Sequence, residues 1–400
     1  MRVRRRTVSL REVSHPAFTR TIDGEPSDHG IDPVALDDLI ARVQREIDEG
    51  RLPSCQLAFA RDGKLALWRT LGAAAPESRY VIFSSTKPVV ASALWLLMGE
   101  GALDVTRRVA ELVPEFGSNG KDVITVEQVM LHTSGFPAAP FSALEWEDRD
   151  RRLARFAAWR CNWEPGTRFE YHPTSAHWVL AEVIERVTGG DFRDFLRTRM
   201  LEPLGVTGLQ VGVPPDEQGD VNDLVATGSR ATPDELEAVL GVRKLPLTEV
   251  TTQALLNFNQ PAVRAVGVPG GGGISTAADL ALFYQALLHD PSSLWKPEVL
   301  ADATATVRNS FPDYMGTPAN RTRGLVVKGD DERSHMRGMG RVVGPRTFGH
   351  NGAGGQIAWA DPDSGWSFCF LTNGIDEHEI RQWRRGAAIA NRAGSCVVRR

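Results

Sequence analysis

Cysteine is scarce in this 400-residue chain: Cys55, Cys161, Cys369 and Cys396 are the four present. They are scattered and form no Cys-x-x-Cys pair. That excludes a disulfide scaffold and fits reduced, mostly buried thiols in a cytoplasmic protein. No run reaches the ~18 apolar residues that a bilayer span requires, so no membrane is expected as a partner. The basic start, with Arg2, Arg4, Arg5 and Arg6, leads into Thr7-Val8-Ser9-Leu10-Arg11-Glu12 without an apolar stretch. No export signal is read there, and a cytoplasmic location is expected. The nine histidines contain no His-Glu-x-x-His and no clustered ligand set, so neither a metal nor another cofactor is expected. A net charge of −4 offers no general attraction for nucleic acid. Gly-x-Ser-x-Gly is absent, which excludes the nucleophile elbow of α/β-hydrolases; Gly273-Ile274-Ser275-Thr276-Ala277 lacks the final glycine. Oligomeric state is not readable.

What is present is an ordinary globular composition, 42% hydrophobic and 24% charged. One short segment carries chemistry. Ser84-Ser85-Thr86-Lys87 opens a long apolar run, Pro88 to Met98. If the run is helical, Ser84 stands at its mouth and Lys87 one turn on, on the same face. A serine hydroxyl needs an adjacent base, and a lysine whose burial lowers its pKa can be one. A helix N-cap and a first-turn surface lysine are the bland alternatives. The same spacing recurs at Ser118-Asn119-Gly120-Lys121, a polar loop expected to leave its lysine solvated, and at Ser293-Leu294-Trp295-Lys296, a turn.

Along the chain, residues 1–28 read as an arm. Asp32-Pro33 caps a helix with Leu36, Leu39, Ile40 and Val43 at helical spacing. Gln56 to Ala60 and Leu65 to Trp68 read as a hairpin through Asp62-Gly63. Short helices are expected at Val126 to His132 and Asp191 to Met200. A longer one runs from Ser175 to Thr188, stopped by Gly189-Gly190. Another runs from Thr276 to Leu288. Thr347 to Gly349, Gln356 to Asp361 and Trp366 to Thr372 read as strands, and Ile380 to Ala393 as a terminal helix. The pattern predicts an α/β part of residues 29–83 and 263–400, an antiparallel sheet flanked by helices. A mainly helical part, 84–262, is inserted, with the active site in the cleft between them.

In this order the chain resembles the serine β-lactamase-like superfamily, and in motif pattern the family VIII carboxylesterases. Ser84-x-x-Lys87 matches the nucleophile motif. Leu131-His132-Thr133-Ser134-Gly135-Phe136 is similar to the common His-Thr-Ser-Gly loop. Phe169-Glu170-Tyr171 stands where the family places its tyrosine motif. Gly270 to Ser275 resembles the glycine-rich stretch, and Gly349-His350-Asn351-Gly352 occupies the place of the third motif. The resemblance implies Ser84 as acylated nucleophile, with Lys87 and Tyr171 as the general base pair. It also implies His350 as a cleft-lining catalytic group, and the backbone N–H groups of Ser84 and Ala353 as oxyanion hole. Gly352, Phe136 and Trp163 are expected to line the substrate site. His132 and Ser134 are expected to brace the turn.

Departures narrow the reading. Pro173 replaces the amide of Tyr-x-Asn, and His350 replaces a lysine, so it is not reliably cationic near pH 7. With no export signal read, a small neutral ester is the expected substrate. Acyl transfer to an alcohol or amine, and amide or weak β-lactam hydrolysis, are the alternatives on the same site.

Overall fold

The computed structural model describes residues 16–245 and 249–397. Arg2, Arg4, Arg5, Arg6, Arg399 and Arg400, which the sequence marks as basic ends, lie outside the described residues.

A six-stranded antiparallel sheet forms the centre. Its strands are β1 (Ser54–Arg61), β2 (Lys64–Gly72), β3 (Val326–Val327), β4 (Phe348–Gly349), β5 (Ile357–Asp361) and β6 (Trp366–Thr372). Their order across the sheet is β2-β1-β6-β5-β4-β3. The β1–β2 hairpin turns at Asp62 and Gly63, φ 49° and 74°, the positive pair that a two-residue primed turn requires. In β1, Leu57 and Phe59 point to one face and Ala58 and Ala60 to the other. Both faces are covered, which is why the strand reads as a continuous apolar run.

Helix α1 (Pro33–Asp48) begins where the Asp32 carboxylate accepts the Ala35 N–H at 2.9 Å. It covers the Leu57 face together with the terminal helix α5 (Glu379–Cys396). Buried Arg385 of α5 reaches Glu46 of α1 at 3.3 Å and Asp376 at 3.0 Å, so the charges inside this layer are paired. The opposite face is covered by α4 (Ala277–His289). Behind α4 lie α2 (Thr86–Gly99) and α3 (Ser175–Thr188). Helix α3 stops at Gly189, φ 75°, as its glycine pair predicts. One apolar cluster runs from the sheet through α4 into α2 and α3 without a break.

The expected helix from Asp191 to Met200 is present, contains a π-type turn and runs on to Leu204. A helical turn at Phe192–Leu196 passes into a π-type turn at Arg197–Leu201 and ends at Glu202–Leu204 before Gly205. Among the described residues no helix is long and apolar enough to cross a membrane.

Candidate active site

Tyr80–Val81 pairs with Gly273–Ser275, and the chain then swings through Ile82 and Phe83 into α2. Phe83 has φ 45°, a left-handed conformation that costs a bulky residue about 1–3 kcal/mol. Its ring is held edge-on against Phe258, with centroids 5.5 Å apart. This turn delivers Ser84. Within the described stretch 80–97, every residue except Ser84 is buried.

Helix α2 is apolar all round, and every residue except Met98 is buried. Lys87 is carried inside with it, 1% exposed. Its Nζ stands 3.3 Å from Ser84 Oγ, 2.7 Å from Pro173 O and 2.6 Å from Gly270 O. Burial pulls the Lys87 pKa below the ordinary lysine range; Tyr171 pushes it back, and the charge of Arg321 lowers it further. Gly270 must be glycine here, because a Cβ would stand 2.9 Å from Pro173 O and 3.1 Å from Thr174 Cα. The glycine run thus brings one lysine-binding carbonyl against the other.

Tyr171 Oη donates to Ser84 Oγ at 2.8 Å, and its ring lies 4.9 Å from Lys87 Nζ. Ser84, Lys87 and Tyr171, drawn from two distant stretches of the sequence, therefore meet at hydrogen-bond distance. The loop before Tyr171 is braced as expected. His172 donates from Nδ1 to Glu170 O at 2.6 Å, and its Nε2 accepts from Phe136 N at 3.2 Å and bonds Ser134 Oγ at 3.1 Å. His132 Nδ1 accepts the His172 N–H at 3.1 Å.

His350 lies just past β4, its ring centroid 6.0 Å from that of Tyr171. Its Nε2 is 3.2 Å from Arg321 Nη1 and its Nδ1 2.9 Å from Asn351 O. A guanidinium only donates, so Nε2 accepts and the ring proton sits on Nδ1. In this arrangement both ring nitrogens are engaged, and neither bonds Ser84. Burial, then Arg321 and Lys87, hold its pKa well below the ordinary histidine value.

The loop after His350 is seated on the Ser84 turn. Ser85 Oγ donates to His350 O at 2.8 Å. A Cβ at Gly352 would collide with Ile82 O, so only glycine permits this approach. Ala353 packs against the cluster containing Val81 and Phe83, one residue from Ser84. Phe136 does not line the cleft: it is 1% exposed and stacked on Trp159 at 5.7 Å in the core. Trp163 is half-buried under the Arg168 guanidinium, 4.2 Å from its ring. The expectation for Lys121 also fails. It is fully buried, donating to Ser118 O at 2.6 Å and Trp159 O at 2.5 Å, while Ser118 Oγ turns to Ala157 O. The folded chain desolvates it where the local sequence is polar.

Arg321 carries no sequence signal and is the main residue missed. It follows Ala319-Asn320 and precedes Thr322-Arg323. Arg323 pairs with Glu127 and Asp302, each at 2.7 Å, whereas Arg321 turns inward beside Tyr171 and His350. Arg321 and His350 line a cavity of about 220 Å³ with Phe169, Asp313, Arg337 and Asn351. A larger cavity of about 500 Å³ lies away from Ser84, and its Arg20 and Arg79 are paired with Asp279 and Asp220.

The sequence model of the Beta-lactamase family matches residues 38–391, and the chain belongs to that family. It is 29% identical over 317 residues, 74% of this chain and 70% of the relative, to the esterase/beta-lactamase LipL of Mycobacterium tuberculosis. A penicillin-binding protein homolog from Caulobacter crescentus superposes with a TM-score of 0.74 at 26% identity, covering 92% of this chain and 99% of that one. A family VIII carboxylesterase superposes with a TM-score of 0.71 at 24% identity, with the same coverage. The fold is β-lactamase/transpeptidase-like, and the protein is a β-lactamase-fold hydrolase.

Proposed function

We propose that this protein is a serine hydrolase of small carboxylic esters that works through an acyl-enzyme on Ser84. The observation that carries the reading is the triangle of Ser84 Oγ, Lys87 Nζ at 3.3 Å and Tyr171 Oη at 2.8 Å. A neutral lysine has two N–H bonds. Pro173 O and Gly270 O accept both, and the lone pair is left towards Ser84 Oγ. Lys87 thus takes the serine proton as Oγ bonds to the ester carbonyl carbon.

The carbonyl oxygen becomes an oxyanion held by the N–H groups of Ser84 and Ala353, at the N-terminal end of α2. The carbon–oxygen bond to the alcohol then breaks. Tyr171 gives its phenolic proton to the departing oxygen and recovers one from Lys87. In the second half, water loses a proton to the same pair and attacks the acyl carbon. The Ser84 oxygen leaves with that proton, and the acid is released.

A fluorophosphonate probe and a short-chain p-nitrophenyl ester test the reading. The wild type is expected to label once and turn over the ester, and Ser84→Ala to do neither. Turnover persisting in Ser84→Ala would remove the acyl-enzyme. Because Lys87 must be neutral to act, kcat/KM is expected to rise with pH through a limb well below the ~10.4 of a free lysine.

A further inference from the structure

A guanidinium sealed in a protein interior is normally met by a carboxylate, because an unpaired buried charge is expensive. Arg321 is 9% exposed, and among the described residues no carboxylate lies within ion-pair distance of it. Its Nε–H has no hydrogen-bond partner there. Its surroundings are a lone pair and two ring faces: His350 Nε2 at 3.2 Å, the Tyr171 ring at 5.0 Å and the Phe169 ring at 5.4 Å. The position is enforced by the backbone. Arg321 N donates to Asn309 O at 2.9 Å, and Asn309 Nδ2 donates to Leu131 O at 2.9 Å, beside His132. Arginine stays protonated even when buried, so the charge is permanent.

We propose that Arg321 is a positioning residue of the proton-transfer unit, supplying from behind Tyr171 the fixed positive charge that the third motif of this chain, with His350, does not carry. This rests on the serine hydrolase reading above. Through its bond to Nε2, Arg321 locks His350 as the neutral Nδ1–H tautomer. Through space, it disfavours a proton on Lys87. The charge of Arg321 is among the causes that hold Lys87, His132, His177 and His350 below their ordinary pKa values, after burial in each case. The other groups facing Lys87 are Tyr171 and His172 from the loop before α3, His177 from α3, His132 from the turn after Val126–Met130, His350 from the loop after β4, and Glu249, which acts on it in the opposite direction to Arg321.

The test is the pH profile of kcat/KM for the full-length wild type, R321Q, R321K and H350Q. Two esters are compared, one neutral and one with a carboxylate at the end of the same acyl chain, and fluorophosphonate labelling counts competent sites. R321Q is expected to move the acid limb up by about one pH unit, which is about a tenfold loss at fixed pH on the limb, equally for both esters. R321K is expected to keep the limb in place with a lower plateau, because it keeps the charge but not the planar fork. A uniform loss in R321Q with an unmoved limb would overturn the proposal and leave Arg321 a packing residue. A loss confined to the carboxylate ester would also overturn it, making Arg321 a substrate anchor. If R321Q does not fold, H350Q decides. The limb is expected to stay, since the guanidinium remains; a displaced limb would mean that His350 itself titrates, and the proposal fails. Failure of the underlying reading is seen separately, as turnover that survives Ser84→Ala.

Discussion

At the scale of single residues, the site is a matter of where protons and charges are allowed to sit. Tyr171 Oη is at 2.8 Å from Ser84 Oγ, and no other phenol among the described residues bonds that oxygen. Tyr171→Phe is therefore expected to lower kcat about 10²–10⁴-fold with little change in thermal stability, since the ring and its contacts remain. Steady-state kinetics and a melting curve on the same preparation check both halves. The pair Ser84-x-x-Lys87 and the tyrosine are legible in the sequence because they stand at fixed offsets in local motifs. Arg321 is not. Nothing within a few residues distinguishes it from Arg323; they differ only in what the folded chain sets opposite each, Tyr171 and His350 in one case and Glu127 and Asp302 in the other.

Among elements, the close approach of three backbone segments matters more than any helix or strand boundary. The Ser84 turn, the glycine run at Gly270 and the loop after β4 touch with little side chain between them. Gly352→Ala would drive a Cβ into Ile82 O, so the loop must retreat from Ser84. An ångström of misplacement in a site can cost about 10²-fold. We expect Gly352→Ala to lose activity of that order; ester turnover unchanged from wild type would show that Ala353 is not held to the oxyanion position by this contact. Helix and strand positions follow from periodicity and turn residues: α1, α3, α4 and the β1–β2 hairpin stand within a few residues of expectation. The Asp191 to Met200 segment reads as one helix because its apolar spacing is helical, and the structure keeps it helical to Leu204, with a π-type turn at Arg197–Leu201 that the spacing does not announce. Phe136 escapes its expected place for a related reason. An aromatic beside a catalytic loop looks like a cleft wall until the core that receives it is known.

For the molecule as a whole, the buried imidazoles set a pH limit. Burial first, with neighbouring positive charges, holds His132, His177 and His350 well below the ordinary histidine value, and His172 to about 3. Unfolded, each titrates near ~6.5. Below that pH the unfolded chain binds protons that the folded one refuses, so stability falls as pH drops and is unaffected by these groups above it. Each such histidine contributes a loss of up to about 1.4 kcal/mol per pH unit. Melting temperature is expected to decline from about pH 6.5 to 5, a window above the ordinary carboxylate range; a flat profile there would contradict the buried neutral cluster.

By itself the amino-acid order determined the elements, the succession of motifs and the spacing that places Lys87 one turn from Ser84, because helical period and turn chemistry act over a few residues. Only the tertiary structure decided that Lys87 is dry and that Arg321 stands behind Tyr171. The carbonyls that bind Lys87 come from Pro173 and Gly270, 86 and 183 residues away, and the imidazole that binds Arg321 from 29 residues further on. Burial and charge at one atom depend on whichever segments fill the space around it, and that is a property of the packed chain.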